Sequence, residues 1–305
     1  MHNSELGRGI YIYTLLLLLL NIVVLIVVFF FIDIEKFMQA SYFPKLFATL
    51  GALFVLELVV FAVWNAFSAY GWKRSLLVLI LAFVIATISE ILGVNYGLIF
   101  GSYHYTGILG FEIGGFPVLV GVTWASILYT AYCITDILIP IRLKKTDSLI
   151  QRLPVYLVLA MIAAFATTAW DMMIDPAAVD QGWWVWEGGG SYVPYIENGV
   201  PIQNFVGWWS VSFVCQILFR FILNTDPCPR RSLNLSVYSP ALLYFSMFLT
   251  AFGTATIFIQ QPSVALIGMM GMGFFVALSM AKMLSVKQGI EVRLGGSWLE
   301  EESEN

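Results

Sequence analysis

The chain has only two histidines, His2 in the N-terminal tail and His104. That excludes the histidine-box di-iron sites of membrane desaturases and hydroxylases, which need clusters of imidazole ligands. The three cysteines, Cys133, Cys215 and Cys228, have neither metal-site spacing nor the even count of a disulfide framework. Two of them sit in apolar runs, and the cysteines read as packing residues. Charge is scarce as well: Asp, Glu, Lys and Arg make up 11% of the 305 residues, under half of the roughly 25% usual in soluble domains. The 15 Lys and Arg are scattered between apolar runs and the formal net charge is −4, so the basic footprint of a nucleic-acid binder is missing. No G-x-G-x-x-G follows a strand, which removes a flavin or nicotinamide domain.

Apolar residues are abundant: 60% of the chain is hydrophobic and mean hydropathy is +0.86. This composition predicts an all-α, polytopic integral membrane bundle. The run from Leu15 to Ile32 is interrupted only by Asn21, too long for a signal-peptide core and without a small-residue cleavage pattern after it. Further runs of spanning length occupy 45–70, 75–100, 117–141, 153–175, 204–223, 238–260 and 263–284, giving about eight transmembrane helices. Residues 1–290 then form one helical domain. Residues 291–305, with Glu300, Glu301, Glu302 and Glu304, form a short acidic cytoplasmic tail.

Eight spans place Arg8, Lys73, Arg74, Arg142, Lys144, Lys145, Arg152, Arg220, Arg230, Arg231, Lys282, Lys287 and Arg293 on one side, and Lys36 and Lys45 on the other. By the positive-inside rule this thirteen-to-two bias puts both termini in the cytoplasm and the protein in the cell membrane. The segments 101–116 and 176–203 then lie on the outer side.

Ionisable residues inside spans cost about 2.5–3.5 kcal/mol each at the centre on insertion scales, so each calls for a reason. Glu90 shares a helical face with Thr87, Gly93, Gly97 and Gly101, and such small-residue spacing lets a neighbouring backbone approach and places the carboxyl inside the bundle. Thr167, Asp171 and Asp175 follow one another at four-residue intervals on one stripe. Two like charges in a low-dielectric site do not both ionise cheaply, so this pair is expected to retain a proton and serve as a general acid. Asn204, Trp208, Ser212 and Gln216 make a third polar stripe, and Glu57 with Asn65 is a secondary candidate. Six of the ten tryptophans fall within 170–209: Trp170, Trp183, Trp184, Trp186, Trp208 and Trp209. They suit an interfacial belt or the walls of a pocket that stabilises positive charge. Ser102, Tyr103, His104 and Tyr105 join them on the outer side.

Without redox or phosphate-binding apparatus, proton chemistry is what such a pocket supports. A carboxylic acid protonates an alkene, indoles stabilise the tertiary cation, and a held water captures it. The motifs Glu90-Ile-Leu-Gly-Val-Asn-Tyr-Gly, Phe100-Gly-Ser-Tyr-His-Tyr, Trp170-Asp-Met-Met-Ile-Asp-Pro, Gly182-Trp-Trp-Val-Trp-Glu and Pro201-Ile-Gln-Asn-Phe-Val-Gly-Trp resemble those of the carotenoid 1,2-hydratases. That family includes γ-carotene hydratases of bacteria and bisanhydrobacterioruberin hydratases of archaea. The resemblance implies a hydro-lyase that adds water to the C1–C2 double bond of an acyclic ψ end group, with no cofactor and no metal. It implies a carotenoid lipid substrate in the bilayer, with other carotenoid-pathway enzymes as candidate partners.

The polar stripes assign the roles. Asp171 is the expected proton donor beside Asp175, Glu90 orients or deprotonates the attacking water, and His104 and Asn204 hold that water. Trp170, Trp186, Trp208, Tyr103, Tyr105 and Asn95 are expected to line the substrate pocket. A carotenoid end-group cyclase and a proton-coupled transporter are the alternative readings. The charge bias carries its own test: single cysteines placed at Lys144 and Arg230 should be labelled by impermeant reagents from the cytoplasmic side only, and labelling from outside would reverse the orientation.

Overall fold

In the computed structural model, which describes residues 2–140, 148–188, 190–193, 199–223 and 235–287, the most apolar span is the least buried. Helix α1 (His2–Phe31) contains the most apolar span, with mean hydropathy 3.1 and 17% of it buried, whereas α5 (Val118–Leu138) has 1.6 and 72%. Lipid is as apolar as leucine, so the helix richest in leucine and valine gains nothing by entering the bundle. The helix that carries hydroxyls and aromatic donors finds partners only inside it.

Around α5 stand α3 (Phe43–Tyr70), α4 (Trp72–Tyr96), α6 (Leu149–Asp180) and α7 (Ile202–Leu223), with α6 and α7 forming the most extensive helix pair. The short α2 (Ile34–Met38) follows α1. The α8 helix (Ser239–Gly253) runs into a π-helical turn at Thr254–Phe258. The last span consists of α9 (Pro262–Gly268), a second π-turn at Met269–Gly273 and α10 (Phe274–Lys287). Eight helical segments of the described residues are long and apolar enough to cross a membrane, as the hydropathy runs predict. The expected acidic tail at 291–305 lies outside the described residues.

Polar side chains join the helices. Asn21, the single interruption of the first apolar run, donates to Ser246 Oγ (2.5 Å) and accepts from Thr250 Oγ1 (3.1 Å) on α8. Tyr129 on α5 donates to Asn65 on α3 (2.7 Å), and Gln216 on α7 donates to the Leu128 carbonyl (2.8 Å).

Two expectations change. The α4 helix stops at Tyr96, where Gly97 takes the left-handed conformation (φ 64°) and its N–H bonds back to Gly93, so Gly97 and Gly101 do not continue the packing face. A methyl at Gly93 would lie 3.0 Å from the Phe100 and Tyr103 rings. The small face therefore receives the chain's own aromatic return rather than another helix. The run expected over 153–175 is longer at both ends, since α6 starts at Leu149 and passes through Pro176 to Asp180. At 32 residues it is about 48 Å long, against a hydrocarbon core of about 30 Å.

Between these helices lie four short strands. β1 (Ser102–Tyr105) pairs antiparallel with β4 (Trp184–Gly188), and β2 (Glu112–Ile113) with β3 (Phe116–Pro117). Gly114 and Gly115, both at positive φ (60° and 81°), make the β2–β3 turn.

Arg220, counted with the cytoplasmic side in the charge tally, lies inside the bundle near the end of α7. It is fully buried, ion-paired with Asp136 on α5 and stacked 4.1 Å over the Tyr132 ring. The charge tally without it is twelve to two, and the bias stands. Removing one partner of a buried pair strands the other charge, at a cost of about 3–5 kcal/mol. Asp136→Leu alone should therefore lower the melting temperature of the purified protein sharply, and Arg220→Met in the same chain should recover most of the loss. Equal melting points for single and double variants would show that the pair is not coupled.

Candidate functional site

The alternation of strand side chains decides which residues of β1 and β4 face inward. Along β1, Tyr103 and Tyr105 point into the bundle while His104 points out; along β4, Trp184 and Trp186 point in while Val185 and Glu187 point out. The inward side is a continuous set of rings, with Tyr103 against Trp186 (5.5 Å), Tyr105 against Trp184 (5.6 Å) and Tyr103 against Tyr105 (5.6 Å). On the outward side His104 Nδ1 meets Glu187 Oε1 at 2.9 Å, both side chains more than half exposed. Such a surface pair contributes about 0–1 kcal/mol.

Below this aromatic layer, Glu90 on α4 accepts three hydrogen bonds. Tyr103 and Tyr105 (3.0 Å) donate to Oε2, and the Trp124 indole on α5 donates to Oε1 (2.9 Å). Bonds to a charged group contribute about 1.5–3 kcal/mol each. Three of them exceed the cost of about 2.5–3.5 kcal/mol for placing an ionisable side chain at the centre of a span. Burial and the neighbouring Glu90 charge push both phenols well above the usual tyrosine range, which keeps them as O–H donors.

Asp171 and Asp175 lie one turn apart on α6, both buried, and the Asn204 amide on α7 bridges them. Its nitrogen is 3.2 Å from Asp171 Oδ2 and also bonds Asp175 Oδ2. Asp171 Oδ1 and Trp170 Nε1 are buried with no hydrogen-bond partner among the described residues. The third polar stripe is interior throughout: Asn204, Trp208, Ser212 and Gln216 are all buried. Trp208 stacks on Trp124 with centroids 3.5 Å apart and planes 10° off parallel, and Trp170 lies 6.0 Å from Trp208.

These groups surround one cavity of about 460 Å³. Its wall includes Glu90, Asp171, Asp175, Asn204, Tyr103 and Tyr105, five of the six clustered tryptophans (Trp170, Trp183, Trp184, Trp186, Trp208), and Glu57 from the opposite side. Trp209 instead packs outside it on Phe213 and Phe165. His104 and Asn95 are not brought to the cavity. Asn95 is exposed and ties α4 to the β2–β3 turn by bonding the Ile91 (2.9 Å) and Gly114 (3.1 Å) carbonyls. Trp124 went unmarked in the sequence, where the residues on its own helical face, Val120, Gly121, Ile127 and Leu128, are all non-polar. Its position shows only when α4 and α5 pack. Among the described residues no group of His, Cys, Asp and Glu side chains is arranged to hold a metal ion.

The profile of a family described as "Carotenoid biosynthesis protein" matches residues 46–275. The bisanhydrobacterioruberin hydratase of Haloarcula japonica is 29% identical over 134 residues, 43% of this chain and 40% of that protein. The match thus spans well under two thirds of that relative's length. No solved structure matches the chain.

The charge at Glu90 is expected to control the phenols above it. Because a neighbouring anion disfavours the phenolate and raises the pH at which a phenol ionises, Glu90→Gln should lower the alkaline midpoints of Tyr103 and Tyr105, read as tyrosinate absorbance against Tyr103→Phe and Tyr105→Phe backgrounds. Unchanged midpoints would contradict the contact.

Proposed function

The chain belongs to the carotenoid biosynthesis protein family, and on that premise we propose that it hydrates the C1–C2 double bond of an acyclic carotenoid end group, as a hydro-lyase. The observation that carries the reading is the pair of carboxyls at Asp171 and Asp175, bridged by one amide and facing an aromatic cavity across from a carboxyl held by three donors.

The two aspartates have one donor between them, an arrangement that suits a shared proton. Asp171, whose Oδ1 is unpartnered among the described residues, transfers that proton to C2. The π electrons form the new C–H bond and leave a tertiary cation at C1. Stacked Trp124 and Trp208 with neighbouring Trp170 lie beside the cavity, and an indole face stabilises a desolvated cation by about 2 kcal/mol or more. Water adds to C1, and its proton passes to Glu90, an acceptor oriented by Tyr103, Tyr105 and Trp124. Return of that proton to the aspartate pair closes the cycle, so the net change is alkene plus water to tertiary alcohol. Asn204 is the residue placed to hold water beside the pair, a role His104 does not share because β1 turns it outward.

The proposal includes one helical domain over 1–290, both termini in the cytoplasm and the cavity in the outer half of the cell membrane. A cyclase would protonate the same end group and let the substrate's own alkene quench the cation, giving an isomer of the substrate rather than its hydrate. In a host making acyclic carotenoids and supplied with heavy-oxygen water, the product should be a labelled tertiary alcohol. A cyclised isomer, or oxygen drawn from O₂, would overturn the reading. Asp171→Asn should insert normally and lose about 10²–10⁴ in turnover, as expected for a general acid. Glu90→Gln should slow turnover less and raise the share of deprotonated by-products. If Glu90→Gln is inactive while Asp171→Asn turns over, the two roles are reversed.

A further inference from the structure

The cavity is covered on its outer aqueous side and incomplete on one lipid-facing side. The rings of Tyr103 and Trp184 cover it from above, 5% and 8% exposed. Four other residues of its wall are open to the surroundings: Leu20 (56%) and Val24 (47%) on α1, and Leu50 (53%) and Leu53 (50%) on α3. A side chain lines an interior cavity and is half exposed at once only where the wall has a gap, and these four place the gap between α1 and α3. Val24 and Leu50 each stand seven residues from the outer end of their helix, at Phe31 and Phe43. At 1.5 Å per residue the gap lies about 10 Å along the helices from those ends, within their apolar spans rather than beyond them.

We propose that this gap is a lateral port through which the substrate's end group slides from the bilayer into the cavity while the rest of the polyene stays among the lipid chains. The inference rests on the hydration reading for the identity of the end group. Size supports it: about 460 Å³ lies in the range of roughly 300–1,000 Å³ that takes drug-sized ligands, enough for one end of a carotenoid and not for the whole rod. The deep edge of the port is polar at Glu57, one turn below Leu53. An apolar chain therefore lies across the Val24 and Leu50 level. It follows that the site reads one end group and is blind to chain length and to the far end, so a substrate with two ψ ends is modified at both in separate visits.

The test uses the full-length protein in lipid nanodiscs and reads quenching of its tryptophans by lycopene supplied in the bilayer, which requires binding but no turnover. Val24→Phe/Leu50→Phe should slow quenching about tenfold. Val27→Phe/Leu56→Phe, at equally lipid-exposed positions that do not line the cavity, should leave it unchanged. Acyclic carotenoids that share the ψ end and differ in length should quench at similar rates in the parent protein. Equal behaviour of the two double variants, or quenching that depends steeply on length, would overturn the port. Normal quenching with no hydrated product would overturn the hydration reading while leaving the port standing.

Discussion

A carboxyl group in hydrocarbon must be supplied with partners by the protein, and the arrangement of this bundle at its strand-bearing end follows from that constraint. Glu90, Asp171 and Asp175 all lie within membrane spans, and their donors come from elsewhere in the chain: Tyr103 and Tyr105 from β1, Trp124 from α5, and Asn204 from α7. The donors these acids find thus tie α4, α5, α6, α7 and the β1–β4 strand pair into one unit, while Asp171 Oδ1 keeps no partner among the described residues. The same residues that make the acids tolerable also orient them, so stability and chemistry are linked at this site.

The small residues of the bundle serve close approach to this unit. Gly93 leaves space for the Tyr103 ring to reach Glu90 one turn earlier on the same helix, and Gly207 on α7 leaves space for Phe100 and the Ile99 carbonyl, which a methyl there would meet at 2.7 Å. Without these two gaps the segment between α4 and β1 would sit higher and its phenols would not reach the carboxylate. At the other end of the bundle the buried Arg220 pairs with Asp136 through Nη1 and faces the Tyr132 ring, while its Nε and Nη2 have no hydrogen-bond partner among the described residues.

The division of the cavity wall matters for a reaction through a carbocation. Rings above and behind the acids keep bulk water from the site, while the side between α1 and α3 is aliphatic and continuous with lipid. The polar atoms converge on the remaining wall, at Asp171, Asn204 and Glu90. A lipid end group and a single water are thereby offered different walls of the same space.

Length, hydropathy and the positions of charged residues were enough to determine an eight-span bundle, because burial in a bilayer is a property of each segment considered alone. The stripe of Asp171 and Asp175, the stripe from Asn204 to Gln216 and the isolation of Glu90 were equally legible, since a helix's period of 3.6 residues converts spacing directly into a shared face. Tertiary structure decided what those faces meet. His104 could not be assigned from sequence, because it sits between two tyrosines that turn inward on a strand only after β1 pairs with β4. Asn95 proved to tie a turn, Trp124 to serve Glu90, and Arg220 to pair with Asp136 inside the bundle. Each of these depends on a partner tens of residues away, and spacing along a chain carries information only about neighbours on the same element.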